Sequence, residues 1–261
     1  VLALSEPAVF AGFTLEHVVT IGSTSQTLLE RAARGETGPL WLVSDEQVTG
    51  RGRRQRDWTS PRGNLYASLL LTDPGPAAKL AQLSFVFALA LRDAVLAITQ
   101  TGPTPPDVRL KWPNDLMVKG RKCAGVLLEG GSYAGRHYLV LGMGVNIVSH
   151  PQGTNHPATD LTEAGLPAER DALFGALSSG VVHRLAQWNR GDGFAGIREA
   201  WLGCAFSMGR EMTVNLPHER FTAKAVSLDH NGALVVIRDG VEQIISSGEV
   251  FALDEQLEVR S

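Results

Sequence analysis

An α+β chain is what this sequence predicts, a mixed domain to about residue 208 followed by a small all-β module. Three observations carry that reading. Residues 77–98 form one long, strongly apolar helical stretch with charge only at Lys79, Arg92 and Asp93, as a core helix would. Short apolar runs of strand length, bounded by glycine and proline, lie on either side of it. After Gly209, four strand-like runs recur at intervals of about ten residues, separated by turn pairs such as Asn231-Gly232 and Asp239-Gly240.

The elements follow in order. The first twenty residues carry no clear pattern beyond Phe10, Phe13 and Leu15. Ser23 with Gln26 three places on has the form of a capping box, so a helix starts there and carries Leu28, Leu29, Ala32 and Ala33. Residues 40–43 read as a buried strand, 45–63 as a long polar loop, and 64–71 as a second strand. A loop of that length inside a compact domain is often functional. Three prolines make 101–107 a connector, after which 108–112 alternates, with Val108, Leu110 and Trp112 on one face and Arg109 and Lys111 on the other; Pro113 ends that strand. Residues 122–128 and 137–141 form an antiparallel hairpin, and 171–188 and 194–201 are helices. The closing module holds strands at 212–216, 221–226, 233–237 and 241–245.

Composition narrows the function. The chain has 261 residues, 24 basic and 27 acidic, for a net charge of -3, the wrong balance for wide contact with nucleic acid. Cys123 and Cys204 make neither a disulfide framework nor a zinc spacing, and no pair among the seven histidines has metal-ligand spacing. The apolar run at 85–91 is too short to span a membrane and no signal segment opens the sequence, so a cytoplasmic protein with no membrane partner is expected.

Four clusters can do chemistry. Gly50-Arg51-Gly52-Arg53 continues through Arg54 and Arg56 to Trp58, so a mobile backbone can wrap guanidinium forks around phosphate or carboxylate. A solvated basic loop, or a nucleic-acid patch, reads the same way. Lys111-Trp112-Pro113-Asn114-Asp115 puts a lysine at a strand end, where it holds a phosphoryl oxygen or merely faces solvent. Gly142-Met143-Gly144-Val145-Asn146 fits a backbone passing close to a ligand and equally a tight turn; position 147 is Ile, so it is no dinucleotide fingerprint. Ser23 and Thr24 sit at a helix start, where capping alone explains both hydroxyls and where a carboxylate also binds well. Cys123, among apolar neighbours, reads as a core residue.

Together, Gly22-Ser23-Thr24, Gln47, the Gly-Arg-Gly-Arg loop with Trp58, Ser60-Pro61, Asn64-Leu65, Lys111 to Leu116 and Gly142 to Asn146 resemble the biotin protein ligases in order and spacing. The module after residue 209 resembles that family's SH3-like C-terminal domain. The resemblance implies a class II synthetase-like mixed sheet with helices on one side (residues 1–208) and a small SH3-like barrel (209–261). It also implies a two-step reaction, in which biotin is activated by ATP as biotinyl-5′-AMP and then transferred to a lysine of the biotin carboxyl carrier domain of an acyl-CoA carboxylase. Mg²⁺ would accompany ATP, through ligands the sequence does not name.

By the same resemblance, Ser23, Thr24, Ser25 and Gln47 line the biotin pocket. Arg51, Gly52 and Arg53 wrap carboxylate and phosphate, and Lys111 contacts the reacting oxygens. Trp58, Asn114 and Asn146 serve the nucleotide side. Gln55 stands where the family often has glycine, and Asp57 where it has lysine or another residue. Only twenty-one residues precede Gly22, too few for the winged helix of the family's regulatory members, so no specific DNA binding is expected. Two rivals are a lipoate- or octanoyl-type acyltransferase, which would lack the Gly-Arg-Gly-Arg loop, and a nucleic-acid-binding module.

Overall fold

A computed structural model describes residues 1–99, 102–154 and 157–252. The opening residues, patternless in sequence, form helix α1 (Glu6–Phe10) and strand β1 (Thr14–Ile21). Then come α2 (Thr24–Ala32), β2 (Leu40–Gln47), a 3-10 turn (Arg53–Gln55) in the long loop, and β3 (Leu65–Thr72). A further 3-10 turn (Ala77–Gln82) runs into α3 (Leu83–Thr99). The domain continues with β4 (Val108–Lys111), β5 (Asp115–Val118), β6 (Arg121–Tyr133), β7 (Arg136–Val145), α4 (Arg170–Trp188) and α5 (Phe194–Gly203). The last strands are β8 (Glu211–Asn215), β9 (Arg220–Leu228), β10 (Leu234–Arg238), β11 (Val241–Ile245) and β12 (Glu249–Ala252).

Seven strands make one sheet in the order β1-β2-β3-β7-β6-β5-β4. Only β1 and β2 run parallel; all other neighbours are antiparallel, so the sheet is mixed as expected. Alternation assigns its two faces. Trp41 and Val43 of β2 and Leu65, Ala67 and Leu69 of β3 point into the main core with α3 and α4, where Trp41 meets Phe174 edge-on at 5.4 Å. Leu40, Leu42 and Leu70 point the other way and pack on Leu28 and Ala32 of α2. Helices therefore cover both faces, not one. Leu28 and Ala32 are four apart, one side of a helix, and a fully buried leucine such as Leu28 contributes about 1.5–3 kcal/mol to that seat. Because α2 covers only part of its face, the rest stays open as a cavity.

The apolar helix is longer than the 85–91 run suggests. Residues Ala77–Thr99 are long and apolar enough to cross a membrane, yet Leu83, Phe87, Leu91 and Val95 are fully buried in the main core. It is the domain's core helix.

The second sheet is antiparallel, in the order β11-β10-β9-β8-β12. Its strands fall where the sequence spacing put them, with β12 added. It shares the first domain's core, since Met212, Val214, Phe221 and Leu234 belong to the same buried cluster as Phe85 and Trp201. The Asn231-Gly232 turn is the docking point. Gly232 has φ +93°, a Cβ there would meet the Phe85 ring at 2.5 Å, and its carbonyl accepts from Trp112 Nε1 at 3.1 Å.

Candidate functional site

A cavity of about 510 Å³ opens on the α2 face of the large sheet, walled by the N-terminus of α2, the 48–63 loop, the β4–β5 corner, β6, β7 and β12. Every site residue picked out in the sequence lines it: Ser23, Thr24, Ser25, Gln47, Arg51, Gly52, Arg53, Trp58, Lys111, Asn114 and Asn146.

At one end sits a cluster of hydroxyls and one amide. Ser23 caps α2, accepting from Gln26 N at 3.4 Å. Gln47 Oε1 accepts from Thr24 N and Thr24 Oγ1 at 2.9 and 3.1 Å, and Gln47 Nε2 donates to Ser60 Oγ at 3.0 Å. Ser68 joins Thr24 Oγ1 at 2.7 Å and Ser25 Oγ at 2.9 Å, all three buried. Ser68 was not foreseen; the signal available was a serine between Ala67 and Leu69 in a largely apolar strand. A connected polar cluster at this depth holds its donors and acceptors in fixed directions, ready for a polar ring.

The glycines of the 142–146 motif are not in a turn. Gly142 and Gly144 lie in β7 on the cavity side, while Met143 and Val145 face the core. A Cβ on Gly142 would come 2.2 Å from Ser25 Oγ, and one on Gly144 would come 2.4 Å from Trp58 Nε1. Gly144 pairs across the ladder with Gly125 of β6, so two glycines side by side make the flat seat for the Trp58 ring. Asn146, buried, gives its Nδ2 to Thr159 O at 3.1 Å.

The arginine loop closes the middle. Its turn is held by Gly52 N donating to Arg56 O at 2.7 Å, with Arg54 at φ 56°. Arg51 Nη2 reaches Glu129 at 3.1 Å, while its buried Nε has no hydrogen-bond partner among the described residues. Arg53 Nη1 donates at 3.4 Å both to Asn114 Oδ1 and to Gly248 O. Desolvation lowers the Arg53 pKa against the pull of Asp115 and Glu249, but a guanidinium remains a cation at neutral pH. Glu249 of β12 faces Arg56 at 2.8 Å and Arg54 at 3.7 Å.

Lys111 is not on a solvent face. It ends β4 directly opposite Asp115, which begins β5, so Trp112, Pro113 and Asn114 form the corner of a two-strand hairpin; Pro113 ends one strand and Asp115 already belongs to the next. Lys111 is 5% exposed, with Nζ 5.2 Å from the centroid of the Phe251 ring. Asn114 is tied down at both ends of its amide, to Val126 O and Arg53.

Sequence reasoning missed Lys122, whose Nζ lies 2.6 Å from Asp115 Oδ1 and 5.5 Å from the Trp58 ring centroid. It missed Glu129, Glu249 and Phe251 as well. Asp57, exposed, bridges to Arg51 through its backbone at the cavity rim.

Known proteins resemble this chain in sequence and fold. Residues 19–146 match the biotin/lipoate A/B protein ligase family, and residues 207–253 match the biotin protein ligase C-terminal domain. A biotin–[acetyl-CoA-carboxylase] ligase of Paracoccus denitrificans is 36% identical over 229 residues, spanning 85% of this chain and 93% of that protein. The chain belongs to the biotin protein ligase family. A ligase of the same description from Mycobacterium tuberculosis is 29% identical over 244 residues, covering 92% of this chain and 89% of its own. Among solved structures, the biotin protein ligase of Aquifex aeolicus in complex with biotin and ATP superposes with a TM-score of 0.77 at 28% identity, covering 91% of this chain and 97% of that one. The Leishmania major enzyme with biotinyl-5-AMP gives 0.64 at 27% identity, covering 90% and 99%.

For a biotin protein ligase built this way, the glycine seat under Trp58 is a sensitive point. Gly144→Ala should push the indole off β7 and weaken ligand binding by about tenfold or more, since overpacking costs roughly 1–3 kcal/mol. Isothermal titration with biotin and with ATP checks this, and an unchanged Kd for both would show that the ring has room to shift.

Proposed function

We propose that the chain is an ATP-dependent ligase that activates biotin and attaches it to one lysine of the biotin carboxyl carrier domain of an acyl-CoA carboxylase. One observation carries the reading: a single cavity joins the Ser/Thr/Gln cluster to the arginine loop and Lys111. Each part answers a chemical demand. Ser23, Thr24, Ser25 and Gln47 offer fixed hydroxyl and amide groups to the ureido ring of biotin. Its carboxylate then extends toward Arg51, Gly52 and Arg53.

In the first step a carboxylate oxygen attacks the α-phosphorus of ATP. A new P–O bond forms, the bond to the β-phosphate breaks, and pyrophosphate leaves with its electron pair. Two anions must meet, so cations that cancel their repulsion and follow the developing charge lower the barrier. Lys111, Arg51 and Arg53 supply that charge, with Trp58, Asn114 and Asn146 on the nucleotide side. In the second step the acceptor amine attacks the biotinyl carbonyl, the C–O bond to phosphate breaks, AMP leaves, and the new amide sheds a proton to solvent. The closed loop keeps water from the mixed anhydride between steps.

Mg²⁺ fits as a companion of ATP. It takes hard oxygen donors, typically one or two carboxylates plus phosphate oxygens, and Asp115 in the cavity wall is such a donor. Bound there, it would neutralise polyphosphate charge. Residues 1–208 would form the catalytic unit and 209–261 the module closing its side, working in the cytoplasm where ATP and carboxylases meet.

The test is mass spectrometry of an acceptor domain incubated with the protein, Mg-ATP and either biotin or lipoate. Addition of one biotinyl group to a single lysine, with no lipoyl product, is expected. Lipoylation instead would favour the acyltransferase rival that shares this core.

A further inference from the structure

One neighbour of the Lys111 ammonium comes from the far end of the chain. Strand β12 pairs with β8 in the second sheet, Phe251 opposite Thr213. Its residues alternate: Val250 is buried in the shared core, while Glu249 reaches the arginine loop and the Phe251 ring lies 5.2 Å from Lys111 Nζ. The ring itself is 7% exposed and walls the cavity.

We propose that Phe251 is a positioning residue for Lys111, its ring face holding the ammonium where phosphate charge develops. The inference rests on the role given to Lys111 above and extends it. A lysine has a flexible four-carbon stem and three rotatable donors, so nothing in the side chain itself fixes where its charge sits. The π-face of a phenylalanine attracts a cation from one side without competing for its hydrogens, more strongly where water is excluded. Burying the charge against a ring also offsets part of its lost hydration. The second sheet thus has a direct part in adenylation. Glu249 holds the loop from one side of the strand's edge while Phe251 holds the lysine.

The experiment varies the ring without varying its shape. Phenylalanine at position 251 is replaced by 4-fluoro- and 3,4,5-trifluoro-phenylalanine, and separately by tyrosine and leucine. Biotin- and ATP-dependent pyrophosphate release is measured alongside the biotin Kd. Catalytic efficiency for ATP should fall stepwise with fluorination and by about 3–30-fold in Phe251→Leu, while Phe251→Tyr stays close to wild type and the biotin Kd holds throughout. A flat response across the fluorinated rings would overturn the proposal, because packing is the same in all of them. So would an equal loss for tyrosine and leucine. A Lys111→Met control separates the two readings: if it still releases pyrophosphate at the wild-type rate, the role of Lys111 fails, whatever the ring series shows.

Discussion

Lys111→Ala is expected to abolish measurable adenylate formation, a loss of at least about 10²–10³-fold in pyrophosphate release, in line with removing one preorganised charge from a reaction centre. The argument starts from burial. A lysine is seldom as enclosed as this one, 5% exposed, because its charge must be compensated there. On the cavity side the Phe251 ring lies 5.2 Å from its Nζ, and strand pairing sets Lys111 opposite Asp115. A fold does not require a charge at that point; Met would fill the same volume.

Stability and catalysis should therefore separate. Lys111→Met is expected to keep its melting temperature within a few degrees, about what 1 kcal/mol costs in a chain of this size. Biotin affinity should fall far less than pyrophosphate release, since the ureido contacts proposed above are Ser23, Thr24, Ser25 and Gln47. Pyrophosphate release at the wild-type rate from a folded Lys111→Met protein would remove Lys111 from the mechanism.

What the sequence discloses and what it hides follow from the range of the interactions. Strands β2 and β3, the β6–β7 hairpin, the core helix and the four regularly spaced strands β8 to β11 are legible because their periodicity is local. Strand β1 is not, for a physical reason. It is an edge strand whose half-buried residues, Leu15, Val18 and Ile21, fall every third place, so no alternation marks it. The Gly142–Asn146 motif reads equally as a tight turn or as a close backbone approach because glycine is dense there; in the structure the glycines leave room for Ser25 and Trp58 on a regular strand. Site residues that share a short motif with their partners are legible too. Ser68, Glu129, Glu249 and Phe251 reach the site only through sheet register and docking of the second sheet, and no spacing along the chain connects residue 251 to residue 111.

Arg53→Gly should make the adenylate and then lose it. After pyrophosphate leaves, biotinyl-5′-AMP still carries one phosphate charge, and its anhydride acylates any amine it meets. Arg53 spans the cavity from the loop to Asn114 on the β4–β5 corner and to the Gly248 carbonyl beside β12, so one side chain ties three walls together. Glycine removes the cation and those ties at once, while Arg51, paired with Glu129, and Lys111 remain to support the first step. A hydrogen bond to a charged group contributes roughly 1.5–3 kcal/mol, about one to two decades in the dissociation constant of the intermediate. Glu249 still faces Arg54 and Arg56 in the variant, so the loop keeps part of its anchorage and adenylation continues. The check is streptavidin blotting of serum albumin incubated with each enzyme, biotin and Mg-ATP. The variant should label albumin lysines well above wild type while still consuming biotin and ATP, though more slowly than wild type. Background labelling by a variant that still forms adenylate would mean that retention depends on other residues of the loop.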